Sequence, residues 1–278
     1  MTEQLVEEKP EPQAEPAAPA PALAVPGRGR RVLWAVARWT AAVVVCGGVG
    51  AGTAIGITAL DRTDVPGLAT ESDGRWEYPQ LKLPALPADR PRPFTEANDG
   101  EIHYADVRQL LLPAPAGATV DPKLDGGWVT EDRYLSGYGK EDRTRVKEAL
   151  RDTALRHITA RGWTTPDGTT TRVHLLRFAS VAFADQFRTD ALKAGEVDEA
   201  LPAGVAEGAI MEGAAGDVRV PDVSVYAYQE KKPYGPEQTR WAYVHAGDTL
   251  ALITQTRKGE ALTVPFQQTV ALQAQLLG

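Results

Sequence analysis

The stretch Thr239–Thr256, TRWAYVHAGDTLALITQT, decides the fold of this chain. Its two halves, Thr239–His245 and Thr249–Thr256, are rich in aromatic and β-branched residues, which favour strands. They flank a short turn that contains Gly247. A glycine in so short a connection is typical of a tight turn between antiparallel strands. The stretch therefore predicts a β-hairpin in a mainly antiparallel sheet.

The elements around this hairpin follow from helical spacing of apolar residues, alternation, and glycine or proline stops. Further strands are predicted at Val107–Leu112, Thr169–Ala179 and Asp222–Gln229. Helices are predicted at Glu141–Arg161, between the cap Ser180 and the stop Gly195, and at Thr263–Leu277. The order is β-α-β-α-β-β-β-α. The sequence thus predicts an α+β fold with a single mainly antiparallel sheet and three helices.

An apolar segment, Trp39–Leu60, contains no charged residue. As a helix it would be about 33 Å long, enough to cross a bilayer core of about 30 Å. Arginines precede it, the last of them Arg38, which predicts a cytoplasmic N-terminus. The sequence therefore predicts a single-pass protein of the cell membrane whose C-terminal part is extracytoplasmic. A cleaved signal peptide, a lipoprotein signal at Cys46, and a twin-arginine export signal at Arg30-Arg31 are the alternatives.

This segment divides the chain into four parts. Residues 1–38 are predicted to be a disordered cytoplasmic tail with a juxtamembrane arginine cluster, and 39–60 the transmembrane helix. Residues 61–98 are predicted to be a proline-rich extracytoplasmic stalk. The α+β domain is expected at 99–278. An alternative is that apolar residues of the stalk pack back onto the domain, namely Trp76, Tyr78, Leu81 and Leu83.

Three glycines recur every fourth residue in the apolar segment: Gly48, Gly52 and Gly56. Small residues at this spacing let two helices approach closely, so they predict a homodimer through the membrane helix. The alternative is that glycine and alanine are simply common in such anchors.

Composition excludes several kinds of chemistry. The net charge of -7 and the pI of about 5.3 argue against nucleic acid as a partner. The single cysteine, Cys46, lies in the apolar segment, so the domain has neither a disulfide nor a reactive thiol. The four histidines are dispersed, and no metal-binding, nucleotide-binding or hydrolase motif is present. We therefore expect no cofactor and no metal.

Aromatic residues cluster on two predicted neighbouring strands and in the loop that joins them. The set is Tyr226, Tyr228, Tyr234, Trp241 and Tyr243. Spacing of two places each pair on one face of the sheet, so the set predicts a ligand platform with polar tips. The alternative is that these aromatics pack beneath a helix.

Two runs, VRQLLLPAPAGA at 107–118 and GWTTPDGTTTRVHLLRFASVAFADQF at 162–187, together with the proline-rich stalk, resemble uncharacterised membrane-anchored or secreted proteins of actinobacteria. The element order is distantly similar to PsbP-like extracytoplasmic domains. The resemblance implies a location and a fold class only. The function that fits these features is a non-catalytic binding module for a small ligand or an envelope protein. The alternative is a cell-envelope hydrolase.

Overall fold

A computed structural model describes residues 33–34, 36–42, 44, 72–196, 199–211 and 219–278. The chain divides into two compact units, Met1–Glu71 and Ser72–Gly278. The strands and helices discussed below all belong to the second unit.

The first unit is described only beside and within the predicted membrane segment, and the described positions there are helical. Of the predicted span 39–60, only 39–42 and 44 are described, so the prediction of a transmembrane helix lies mostly outside the described residues. Among those that are described, no helix is both long and apolar enough to cross a membrane. Tail residues 1–32 lie outside as well. So do the glycines of the predicted dimer face, Gly48, Gly52 and Gly56.

The described part of the second unit contains seven strands and several short helices. The strands are β1 Thr119–Trp128, β2 Leu155–Thr164, β3 Thr170–Phe178, β4 Gly208–Ile210, β5 Val223–Glu230, β6 Glu237–Ala246 and β7 Thr249–Lys258. The helices are a 3-10 turn at Val107–Gln109, α1 Glu131–Leu135, α2 Lys140–Asp152, α3 Val181–Gln186 with a π-helical extension Phe187–Ala191, and α4 Thr263–Leu277.

The strands form one antiparallel sheet in the order β1-β2-β3-β7-β6-β5-β4. The predicted hairpin is its centre: β6 pairs with β7 from Ala246 opposite Thr249 to Glu237 opposite Lys258. Gly247 in the turn has a φ of +51°. The predicted α+β class and antiparallel sheet are confirmed, whereas the predicted order lacks three of the strands, β1, β2 and β4, and the prediction of three helices lacks α1.

Each face of the sheet is covered by a different set of helices. On one face, Phe266 and Val270 of α4 belong to a buried cluster with Val244 and Ile253 of the central hairpin. On the other face, α1, α2 and α3 contribute to a second cluster, which includes Leu150 and the strand residues of β3 and β7. The sheet is therefore the middle layer of the domain.

The prediction of a strand at Val107–Leu112 is wrong. Val107–Gln109 form a 3-10 turn, and Leu110–Leu112 continue as buried irregular chain. Gln273 of α4 satisfies this backbone: its Nε2 donates to Leu110 O (2.9 Å), and its Oε1 accepts from Leu112 N (3.0 Å). A glutamine side chain thus provides the hydrogen bonds that a neighbouring strand would otherwise supply.

The predicted helix Glu141–Arg161 is too long. α2 ends before Thr153, whose hydroxyl donates back to the carbonyl four residues earlier (2.6 Å). Ala154 then adopts a φ of +48°, and the chain continues as β2, which contains the β-branched Ile158 and Thr159. Apolar residues continue at helical spacing beyond the end of α2, so the predicted helix was extended into β2. The β-branched residues of β2 favour a strand instead.

Two edge strands were missed in the sequence. β1 contains Pro122, Gly126 and Gly127, and its pairing with β2 shifts register twice. Proline and glycine are tolerated at a sheet edge, where half of the backbone groups have no ladder partner. β4 is only three residues long. Neither strand has the regular alternation by which strands are predicted.

Part of the predicted stalk contacts the domain. The amide of Trp76 donates to Gln268 Oε1 (2.8 Å), and Gln268 Nε2 donates to Trp76 O (2.8 Å). The hydroxyl oxygen of Tyr78 lies 2.9 Å from Thr269 Oγ1. Four apolar residues of the segment are partly buried against the core beside α4: Tyr78, Leu81, Leu86 and Phe94. Leu83 remains 41% exposed.

Candidate functional site

A polar cleft lies on the face of the sheet that carries α1–α3. Side chains alternate along a strand, so Arg172 and His174 of β3 lie on the same face as the buried Leu176. The cleft encloses about 210 Å³ between this end of the sheet and the turn after α1. Thr254 of β7 lines it beside the strand positions of β3, and Pro202 lines it from the long loop. The uncovered end of the sheet face is therefore polar, whereas the helix-covered end is apolar.

His174 is the most buried polar group of this first cavity, at 5% exposed. Its ring packs edge-on against Tyr134, with centroids 5.6 Å apart. The Nδ1 atom is fully buried and has no hydrogen-bond partner among the residues that the structure describes. Burial lowers the pKa of His174 from 6.5 to about 4, and the positive charges of Arg172 and Arg133 lower it further. The imidazole is therefore neutral at neutral pH, and Nε2 is the ring nitrogen that remains for a ligand.

Two arginines provide positive charge at this end of the cleft. Arg133 of α1 is held by the helix, which Thr130 caps through its hydroxyl. The nearest carboxylate to Arg133 is that of Asp121, 3.9 Å from Nη2, with both side chains more than one-third exposed. Arg172 is exposed and takes part in no ion pair within the described residues. Neither charge is strongly compensated by the protein.

Hydroxyl groups complete the lining. Thr239 and Thr256 face each other across β6 and β7, with their Oγ1 atoms 3.0 Å apart. Ser136 lines the cavity too, but its Oγ donates to Arg133 O (2.6 Å). The serine hydroxyl is therefore engaged by the backbone and not activated by His174.

A second cavity of about 350 Å³ continues the cleft. The two cavities share Arg172, Ala203, Thr239 and Thr256. Glu230 of β5 and Glu237 of β6 line the second cavity only. The cleft as a whole thus runs from an arginine end to a glutamate end.

Glu230 is a buried carboxylate, at 3% exposed. Within the described residues it accepts no hydrogen bond and forms no ion pair. The nearby Lys231 ammonium contacts Glu207 instead, and Glu207 also accepts from the Tyr234 hydroxyl (2.7 Å). Lys231, the next residue along the chain, therefore does not provide a countercharge for Glu230.

This arrangement can bind a small polar molecule through charge and hydrogen bonds. It provides two guanidinium groups, one neutral imidazole, several hydroxyls and two carboxylates. Among the described residues, no group of three or more histidine, cysteine, aspartate or glutamate side chains is placed to hold a metal ion.

The structure brings together three of the five aromatics that predicted a platform, but in the interior. Tyr228, Trp241 and Tyr243 are each at most 1% exposed. Tyr228 stacks on Trp241 with centroids 5.4 Å apart, and the Tyr243 hydroxyl donates to Ala200 O (3.0 Å). The Tyr228 hydroxyl accepts from the amide of Gly195. These three rings pack beneath α3 and the following loop, as the alternative interpretation had it.

The other two aromatics lie apart from that stack. Tyr226 is half-buried under the guanidinium of Arg188, 5.0 Å from the ring centroid. Tyr234 is 41% exposed in the loop between β5 and β6, where it bonds Glu207. The described structure thus offers no single exposed surface formed by all five rings.

The cleft residues were missed because each is unremarkable alone. His174 is one of the four dispersed histidines, and nothing in its immediate neighbourhood in the sequence distinguishes it. The sequence of β3 did contain an indication of the cleft. At a spacing of two residues, Arg172 and His174 share a face of the strand with Leu176 and Phe178, which are buried. Charged and polar residues that continue an apolar face of a strand indicate a site.

Comparison with known proteins adds little. No family model matches the chain, and no curated protein is significantly similar to it. Among solved structures, the extracellular domain of PknH from Mycobacterium tuberculosis matches with 10% sequence identity and a TM-score of 0.32. The match covers 58% of this chain and 77% of that chain. A TM-score this low does not establish a shared fold.

Proposed function

We propose that this chain is a non-catalytic binding module, anchored in the cell membrane through 39–60, that takes a small polar ligand outside the cytoplasm in the cleft between β3, β6 and β7. The cleft lies in the unit Ser72–Gly278, which follows the proposed anchor in the chain.

One observation carries this proposal: the buried, unpartnered imidazole of His174 in the floor of a polar cavity. A buried polar group without a partner lowers stability by about 1–3 kcal/mol. Departures of this kind from good packing are typical of functional sites.

Binding is proposed rather than catalysis because no serine or cysteine among the described cleft residues is activated as a nucleophile. The Ser136 hydroxyl donates to the backbone, and the hydroxyls of Thr239 and Thr256 are bonded to one another. No observation favours the hydrolase alternative.

The binding proposal is tested by calorimetric titration of the purified full-length chain in detergent. The probes are inorganic phosphate, ethanolamine, phosphoethanolamine and glycylglycine. At least one of the three probes that carry a phosphate or carboxylate should bind, and Arg172→Gln should weaken that binding about tenfold, because a charge-assisted contact is lost. Arg156→Gln is the matched control, since Arg156 is an exposed arginine of β2 outside the cleft. Equal effects of the two substitutions would contradict the proposed site.

The proposed anchoring is tested separately. A protease added to intact spheroplasts should digest the domain and spare an epitope placed at the N-terminus, because the arginines precede the apolar segment. A domain protected from the protease until the membrane is permeabilised would contradict the orientation.

A further inference from the structure

We infer that the ligand of the cleft is a small zwitterion, with a carboxylate or phosphate at the arginine end and an ammonium group at the Glu230 end. This inference rests on the proposed function and names the class of ligand that the same site takes.

The charges are sorted along the cleft. Arg133 and His174 line only the first cavity, whereas Glu230 and Glu237 line only the second. Arg172 lines both and therefore lies between the two ends. A guanidinium pair favours planar or tetrahedral oxyanions, because its N–H groups donate in a fixed fork. One end of the cleft is thus suited to an anion and the other to a cation.

Glu230 is the reason to expect a cation at this end of the cleft. It lines the second cavity, and within the described residues its carboxylate has neither a hydrogen bond nor an ion pair, so an ammonium group in the cavity would meet an uncompensated negative charge. Its neighbour Lys231 contacts Glu207, so the protein does not supply the charge from the adjacent position. An ammonium group provides both the opposite charge and N–H donors.

A ligand of a single sign would satisfy only one end. An anion on its own would leave Glu230 buried without compensation, and a cation on its own would lie near Arg172 with nothing to offset the repulsion. The cavities, about 210 and 350 Å³, admit a compact molecule that reaches both ends. A molecule with both ionic groups joined by a few bonds meets these requirements together.

The inference is tested with the full-length chain by calorimetry on four probes. Phosphoethanolamine and glycylglycine carry both charges, whereas inorganic phosphate and ethanolamine each lack one. At least one zwitterion should bind about tenfold or more tightly than both single-charge probes. Which of the two it is distinguishes a phosphate ligand from a carboxylate ligand.

Variants connect this preference to the glutamate end. Glu230→Gln should reduce the affinity for the preferred zwitterion about tenfold and leave the affinity for phosphate unchanged. Because it removes an uncompensated charge with little change of shape, it should not lower the unfolding temperature. Glu237→Gln, at an exposed position, provides a second variant with a smaller effect in the same direction. Glu131→Gln, exposed on α1 outside the cleft, should change nothing.

Two results would overturn the inference, and only the second would also contradict the proposed function. If phosphate binds as tightly as the zwitterions and Glu230→Gln has no effect, the zwitterion is excluded while the binding cleft stands. If none of the four probes binds, the inference and the proposed function both fall.

Discussion

His174 and Glu230 are the residues in which stability and recognition conflict most clearly. Both are at least 95% buried, one with a ring nitrogen that has no partner and the other with a carboxylate that has no countercharge. The unsatisfied nitrogen of His174 lowers the stability of the unliganded chain. A residue selected only for packing would not be polar at either position, so substitution should separate the two roles.

We predict that His174→Leu raises the free energy of unfolding by about 1 kcal/mol at pH 7, because it removes an unsatisfied buried nitrogen and adds apolar contact. Denaturant titration of the full-length chain measures this change. A loss of about 2 kcal/mol or more would mean that the imidazole is a satisfied part of the core, contrary to the account given above.

The pH dependence of stability should report the same residue. The pKa of His174 is about 4 in the folded chain and 6.5 in the unfolded chain, so the unfolded state binds the proton more readily. Its contribution is fully present above pH 6.5 and is lost as the pH falls towards 4, by about 3 kcal/mol in total. The positive charges that face the ring, Arg133 and Arg172, act in the same direction.

The measurement compares denaturant midpoints of the wild-type and His174→Leu chains from pH 7.5 to pH 4. The difference between them should widen below pH 6.5 in favour of the leucine variant. Parallel profiles would show that His174 is not desolvated in the folded chain.

The candidate site was only partly accessible to prediction. Arg172 and His174 are adjacent in phase on one strand, and that regularity was readable. Their proximity to Arg133 and Glu230 could not be predicted, because α1 and β5 are far from β3 in sequence and reach the cleft only through the tertiary fold. No local pattern encodes such contacts.

At the scale of elements, the central hairpin is the feature on which the rest of the sheet is built. The β6–β7 turn requires Gly247, whose φ is +51°. A Cβ at this position would collide with the carbonyl oxygen of Glu101, which packs against the turn. The turn therefore fixes both the hairpin and the chain segment beside it.

We predict that Gly247→Ala lowers the free energy of unfolding by about 3 kcal/mol or more, because strain at positive φ adds to the collision with Glu101. Gly259→Ala is the matched control: its φ is +76°, but a Cβ there meets nothing within 4 Å. The control should cost only about 1 kcal/mol. Equal losses by thermal unfolding would show that the close approach to Glu101 is not a constraint.

The elements that were predicted correctly have strong local signals, and those that were missed do not. β6 and β7 are rich in aromatic and β-branched residues on either side of a glycine turn, and Ser180 caps α3 through its hydroxyl. By contrast, the LLL run after Val107 is apolar enough for a strand, but Gln273 of α4 takes the place of its partner strand. The conformation of that segment is decided by hydrogen bonds to a residue 161 to 163 positions away in sequence, which a local pattern cannot predict.

At the scale of the whole molecule, the folded unit begins well before residue 99. The chain from Ser72 belongs to the compact unit, and Tyr78, Leu81, Leu86 and Phe94 pack beside α4. Trp76 of the same segment forms two hydrogen bonds with Gln268. A proline-rich composition therefore does not by itself make a spacer, because apolar residues between the prolines can be buried.

We predict that a fragment 72–278 unfolds cooperatively as a monomer and is more stable than a fragment 99–278 by about 4 kcal/mol. The estimate is about 1 kcal/mol for each of four partly buried apolar side chains. Both fragments lack cysteine, so reductant should change neither. Denaturant titration compares them; equal stability would show that residues 72–98 contribute nothing to the core.

The most direct test of the binding cleft is the histidine-ring NMR spectrum of the full-length chain in detergent, recorded while phosphoethanolamine and then glycylglycine are added. The chain has four histidines, so the spectrum is simple, and His174→Leu and His157→Gln identify two of the signals. His157 is exposed on β2 against Trp128, with ring centroids 4.8 Å apart, and serves as the internal control. We predict that the His174 signal shifts with saturation while the His157 signal stays in place. A spectrum in which His174 does not respond to either compound, or in which both signals shift in proportion, would contradict it.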